Sequence, residues 1–234
     1  LDILIEHGTI NIQLHHVIQM ISQQRYNEYY NSLTSIYDKN IEDDKNHGVP
    51  IMSKSFYLLF LKLKRIPSWQ EFLEAYKRQW CKSVPNGMTF TLNNPRYQYI
   101  FQEKALDKKL IRAYMSFLKE VYVLYWLYDK GLTSSYYSFD NDMAGFDITV
   151  RNQFGNTFGI KIYANTYNAN KFALIKKNTR NKLPENSTGI AIKTAFSDEY
   201  RIGDTYVFSD KLLNAVYHYI NNNIQKDIVI EEVA

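Results

Sequence analysis

The first forty residues place apolar side chains at helical spacing. Ile12, Val17, Ile18 and Ile21 form one series, with Thr9 or Asn11 as a candidate cap. Tyr26, Tyr29, Tyr30, Leu33, Ile36 and Tyr37 form a second. The polar break Asn40–Gly48 follows; its Glu42, Asp43 and Asp44 lack the ligand spacing of a calcium loop and read as solvated. Ser53–Trp80 then predicts two helices. Phe56, Leu59, Phe60 and Leu63 give the apolar face of the first. The second opens at Ser68, with Glu71 three residues on as the reciprocal partner of a capping box. Phe72, Leu73, Tyr76 and Trp80 carry its face. From Tyr97 to Asp129 a long helical region carries Ile111, Phe117, Leu118, Val121, Leu124, Tyr125 and Tyr128 on one stripe, with a candidate break near Asp107 and a stop at Gly131.

Beyond Gly131 the period changes to two. Ser135–Phe139, Phe146–Val150, Thr157–Tyr163, Gly189–Lys193 and Asp204–Phe208 are the expected strands. The segment 168–181 is basic and partly helical in this reading, Ser209 caps a last helix, and Ile228–Ile230 is a further strand candidate. The fold class that follows is α/β with mixed α+β character. A helical N-terminal region, 1–96, precedes a domain over 97–234 whose elements run α-β-β-β-α-β-β-α. The Pro-, Asn- and Gly-bearing segment 82–96 is the expected boundary.

Composition changes this picture little. The 234 residues are 45% hydrophobic, enough for a sizeable core, and 9 Gly and 5 Pro argue against disorder. The 20 Tyr and 13 Phe are first of all core material. A net charge of +4 permits a polyanionic partner without requiring one. The single Cys81 excludes an internal disulfide and a cysteine-rich zinc site, and a buried inert thiol is expected. Leu118–Leu127 is too short and too charged to span a bilayer, and no secretory leader opens the sequence, so a cytoplasmic location is expected. Adjacent His15 and His16 point about 100° apart on a helix and make a poor chelate; they and His218 read as surface or packing residues. Lys62, Lys64, Arg65, Lys77, Arg78 and Lys82 could line a phosphate-facing helix pair, but solvated lysines on an ordinary pair are the simpler reading.

The chemistry gathers between residues 120 and 164. Glu120 lies beside the apolar stripe of the long helix, Asp147 opens a strand, and Lys161 is on the next strand. Such a set can hold a divalent cation beside a phosphate. Glu120-Val121 before Gly131, Gly145-Phe146-Asp147 and Gly159-Ile160-Lys161-Ile162 together resemble the pattern of the restriction-endonuclease-like PD-(D/E)xK nuclease superfamily over roughly residues 101–208. In that superfamily an acidic helix precedes a strand hairpin whose second and third strands carry Asp and Glu-x-Lys. The resemblance implies a core with a central mixed sheet flanked by helices, and a metal-dependent DNA endonuclease using Mg²⁺ or Mn²⁺. Asp147 would be the central metal ligand, Glu120 a second acidic ligand, direct or through water, and Lys161 the amine beside the attacking water. Arg151, Lys171, Lys176, Lys177 and Arg180 would meet backbone phosphates.

One position departs from the pattern. Gly159 stands where the superfamily has an acidic side chain. Glu120 taking over as ligand, a domain that binds DNA or assembles with a partner without cutting, and an accidental likeness are the three explanations. A homodimer or a partner protein would suit the second, and a Tyr-rich adaptor surface would suit the third.

Overall fold

The computed structural model describes residues 13–42, 49–132, 135–136, 146–164, 187–194 and 198–231. Its helices are α1 (Leu14–Gln23), α2 (Asn27–Ser32), α3 (Lys39–Glu42), α4 (Met52–Leu63), α5 (Trp69–Trp80), α6 (Glu103–Asp129) and α7 (Asp210–Asn221). Its strands are β1 (Cys81–Val84), β2 (Gly87–Phe90), β3 (Ser135–Tyr136), β4 (Ile148–Arg151), β5 (Thr157–Ala164), β6 (Ser187–Thr194), β7 (Arg201–Ile202), β8 (Thr205–Tyr206) and β9 (Ile228–Glu231). The chain is therefore α/β, with a helical N-terminal region and a mixed sheet. It divides into two compact units, Gln23–Phe117 and Leu1–Ser22 with Leu118–Ala234. The division falls inside α6, and the segment 82–96, expected at a boundary, lies within the first unit.

The first unit is built on aromatic side chains. Phe56 and Phe60 project from one face of α4, Phe72 and Tyr76 from α5, and Tyr114 from α6, all fully buried. The Phe56 ring lies 5.8 Å from Phe72 and 6.1 Å from Tyr114, both edge-on, the arrangement the ring quadrupoles favour. The α4–α5 turn is specified locally. Lys64 ends α4 in the left-handed region at φ 54°. Ser68 Oγ then accepts from the Glu71 N–H at 3.2 Å, and the Ser68 N–H donates to Glu71 Oε2 at 2.7 Å, closing the expected capping box. The hydroxyls that the buried tyrosines carry inward also find acceptors: Tyr114 donates to Pro67 O and Tyr76 to Pro50 O.

Two expectations are corrected here. The segment around Pro85, expected as a boundary, is part of a regular element: β1 and β2 pair as an antiparallel hairpin, with Pro85 and Asn86 between Val84 and Gly87. Asn86 takes φ 70°, the backbone that the third position of a type II turn requires. Nor does α6 break at Asp107. That carboxylate is 4% exposed and is met by the Tyr29 hydroxyl at 2.7 Å and the Lys77 ammonium at 2.9 Å, so the helix runs on with the charge paired. The same lysine explains a smaller point. With Lys77 on Glu103 and Asp107, and Arg65 on Glu71, two of the six cations considered for a phosphate-facing surface are already paired.

In the second unit the sheet order is β3-β4-β5-β6-β9. β3, β4 and β5 form an antiparallel meander, and β6 and β9 extend it in parallel. Ile148 and Val150 alternate with more exposed residues on β4, and Phe158, Gly159, Ile160 and Ile162 are buried on β5. Together with Ile190 and Ile192 they are buried, as are Leu212, Leu213, Val216 and Ile220 of α7. From Val121 to Leu127, α6 is buried all round, as its unbroken apolar run requires. It ends as expected at Gly131, φ 91°: the Leu132 N–H donates to Leu127 O and the Gly131 N–H to Tyr128 O, a Schellman cap. The Trp126 indole N–H donates to Asp210 Oδ1 at 2.9 Å and ties α6 to the first turn of α7. β4 begins two residues later than expected, and the 204–208 strand is shortened to β8, which pairs with an unexpected β7 across Gly203 at φ 58°. Residues 137–145 and 168–181 lie outside the described residues.

Candidate functional site

The meander fixes where the candidate residues stand. On β4 and β5 the direct partners are Ile148 with Ile160, Thr149 with Gly159, Val150 with Phe158 and Arg151 with Thr157. Directly opposed residues of an antiparallel pair share a face. Thr149, Gly159 and, two residues on, Lys161 are therefore on the face opposite the buried isoleucines. Asp147 sits one residue before β4, level with this end of β5. Regular pairing stops there, and the aspartate takes over. Its N–H donates to Ile160 O at 2.9 Å, and its Oδ2 accepts the Ile162 N–H at 2.5 Å. The carboxylate thus satisfies a strand N–H that lies past the end of β4. It is held by the backbone on either side of Lys161.

The Lys161 ammonium lies 4.8 Å from the centre of the Phe146 ring. Phe146 is 4% exposed and immediately precedes Asp147. A cation over the face of a buried ring is attracted by its quadrupole, which keeps the amine at this end of the hairpin. Asp147 and Lys161, fourteen residues apart in the sequence, are thereby brought to one place by strand register and one aromatic ring.

Glu120 is on α6 and is 7% exposed, so its charge is held in a largely dry setting. Beside it, burial pushes the Lys119 ammonium below its ordinary range. Two residues on, burial and the charge of Asp210 push the Tyr122 hydroxyl up to about 12, so it stays a proton donor. Arg151 is placed at the far end of β4, about 13 Å from Asp147 at the rise of a strand. Its Nε donates to Gly155 O across the turn. Lys171, Lys176, Lys177 and Arg180 lie outside the described residues.

Sequence reasoning missed the second role of Asp147 and the part played by Phe146. Period two marks Phe146 only as a core position. That its ring carries the lysine depends on the register of a strand further along, which no local signal announces. Cys81 is half-buried, and burial pushes its thiol up to about 12, which leaves it unreactive at neutral pH.

Among the described residues, no group of three or more His, Cys, Asp or Glu side chains is placed to hold a metal ion. Mg²⁺ does not require three: it is commonly held by one or two carboxylates, with substrate phosphate and water completing the shell. The hard oxygens of Asp147 and Glu120 fit that chemistry, whereas Gly159 can contribute none. No helix among the described residues is long and apolar enough to cross a membrane. Comparisons of the chain with protein-family models, curated proteins and solved structures found no match.

Proposed function

We propose that this chain is a metal-dependent DNA endonuclease of the restriction-endonuclease-like type. The observation that carries the reading is the position of Asp147 and Lys161 at one end of the β4–β5 pair, after a helix that bears Glu120. This is the order of parts that the PD-(D/E)xK pattern calls for. Asp147 and Glu120 would hold Mg²⁺ or Mn²⁺. A bound ion of this kind supplies Lewis-acid stabilisation of the phosphate and a more acidic water.

The chain's own residues do the rest. The Ile162 N–H fixes one oxygen of Asp147, and the second oxygen would be the ligand. Lys161, a cation on an aromatic face, offers a proton donor and a positive charge where a phosphodiester gains negative charge. Burial of Glu120 strengthens whatever electrostatic interaction it makes.

A second reading, a catalytically inactive module that binds DNA or assembles with a partner, is favoured by Gly159. Opposite Thr149 it presents no ligand, and the hydrogen bond at Asp147 has a structural use of its own.

Plasmid nicking with purified protein in Mg²⁺ or Mn²⁺ separates the two. The endonuclease reading expects cleavage that chelation stops and that Asp147→Asn and Lys161→Met each reduce at least a hundredfold. Metal-independent binding without cleavage supports the inactive module. Full cleavage by both variants removes the site assigned here.

A further inference from the structure

At the other end of β4 a cavity of about 310 Å³ opens between the last turn of α6, the turn after β4 and the exposed side of α7. It is lined by Lys130, Arg151, Gln153, Tyr217 and Asn221, with Gly131, Leu132 and Asn152, and by no carboxylate. We infer that this cavity is a phosphate-binding site, and that its ligand is the backbone of a nucleic-acid strand.

The polar groups that face it are available. Among the described residues no acidic side chain pairs with Lys130 or Arg151. The Lys130 ammonium is 5.0 Å from the Trp126 ring, an arrangement that positions a cation without neutralising it. Arg151 gives its Nε to Gly155 O and keeps the two outer nitrogens of its fork, the ones that grip a phosphate. Asn152, by contrast, is committed. Its amide nitrogen donates to Ile220 O and Asn223 Oδ1, and its oxygen accepts from the Phe154 and Asn156 N–H groups. It is the fixed floor on which Arg151 and Gln153 stand.

The carboxyl ends of α6 and α7 both meet this cavity, and each carries about half a negative charge. Two full cations exceed that sum. The carbonyls involved are also occupied, since Leu127 O and Tyr128 O accept the cap N–H groups and Ile220 O accepts from Asn152. A net positive, donor-rich cavity selects an anion.

Phe154 identifies the kind of anion. It is next to Gln153 at the tip of the same turn and is 60% exposed. An exposed ring beside a phosphate site is what a stacked base uses, and free phosphate has no use for it. The site stands about 13 Å along β4 from Asp147, or roughly four nucleotide steps at 3.4 Å axial rise. It does not depend on hydrolysis at Asp147.

The test is fluorescence anisotropy with a labelled single-stranded oligonucleotide at low salt, without divalent metal. Lys130→Gln/Arg151→Gln should weaken binding at least tenfold and lower the salt slope by about 0.7 for each phosphate no longer neutralised. Phe154→Ala should weaken it about fivefold or more. Lys211→Gln/Lys226→Gln removes the same charge from exposed positions elsewhere in this unit and should change affinity less than threefold. Melting curves check that each variant is folded. An equal loss in the two double variants, or none in the first, overturns the proposal. So does a cavity that binds pyrophosphate, by calorimetry, while the oligonucleotide does not bind, since a free phosphate is then the ligand. The assay contains no divalent metal and reads binding alone, so failure of the nuclease reading and failure of this site give different results.

Discussion

Asp147 carries two demands in one side chain. Its Oδ2 takes the Ile162 N–H at 2.5 Å, while the nuclease reading needs its charge. The two separate by substitution. Asn keeps an oxygen for the N–H and loses the charge; Ala loses both. Asp147→Asn is therefore expected to unfold within about 0.5 kcal/mol of wild type, and Asp147→Ala to cost about 1–3 kcal/mol, by urea denaturation. Equal stability of all three would mean that the hydrogen bond contributes nothing. Glu71 offers a pH test at the same scale. The Arg65 fork, with help from Ser68, holds its carboxyl down at about 2, against an ordinary 4.5. A depressed carboxyl stabilises the fold above about pH 4.5, and that contribution is lost as pH falls through about 2, because the unfolded chain takes up the proton first. Thermal melts between pH 2 and 5 should show a shallower acid-side fall for Glu71→Gln than for wild type, and parallel curves would contradict the assignment. The Ser68–Glu71 box is readable in the sequence because its parts lie three residues apart. The bond at Asp147 is not, because its donor is fifteen residues away and its place is set by strand register.

Among the elements, α6 and the β1–β2 hairpin show where periodicity suffices and where it does not. The stripe from Ile111 to Tyr125 and the stop at Gly131 announce α6 plainly. An acidic residue in its second turn suggests a break only because Tyr29 and Lys77, which pair with it, come from distant segments. Removing Asp107 should therefore be costly. Asp107→Ala leaves Lys77 with Glu103 alone and strands the Tyr29 hydroxyl, for a loss of about 3 kcal/mol by chemical denaturation; a loss under about 1 kcal/mol would contradict this pairing. The hairpin escapes the sequence because its strands are four residues each and its Pro-Asn-Gly turn also fits a linker. Gly87 is fixed there by space as well as backbone. At φ 156° an added Cβ would lie 2.5 Å from Phe101 O, which itself accepts the Met88 N–H. Gly87→Ala should lower stability by about 1–3 kcal/mol, whereas wild-type melting would show that the backbone can yield.

For the whole molecule, the sequence makes the α/β class legible, because a change of period from 3.6 to 2 near Gly131 marks where strands replace helices. It does not make the division of the chain legible. Composition suggests a boundary at 82–96, but the compact units part inside α6, between Phe117 and Leu118, where helical periodicity continues unbroken. The proposed cleavage requires three charged side chains, from α6, from the residue before β4 and from β5, to act on one phosphate. Crystals of the protein soaked in Mn²⁺, with anomalous diffraction recorded at the manganese edge, address that claim most directly. The expected result is a single peak roughly 2.1 Å from oxygens of both Asp147 and Glu120, with the Lys161 amine beside it. A peak that touches neither carboxylate, or no peak at saturating Mn²⁺, would contradict it.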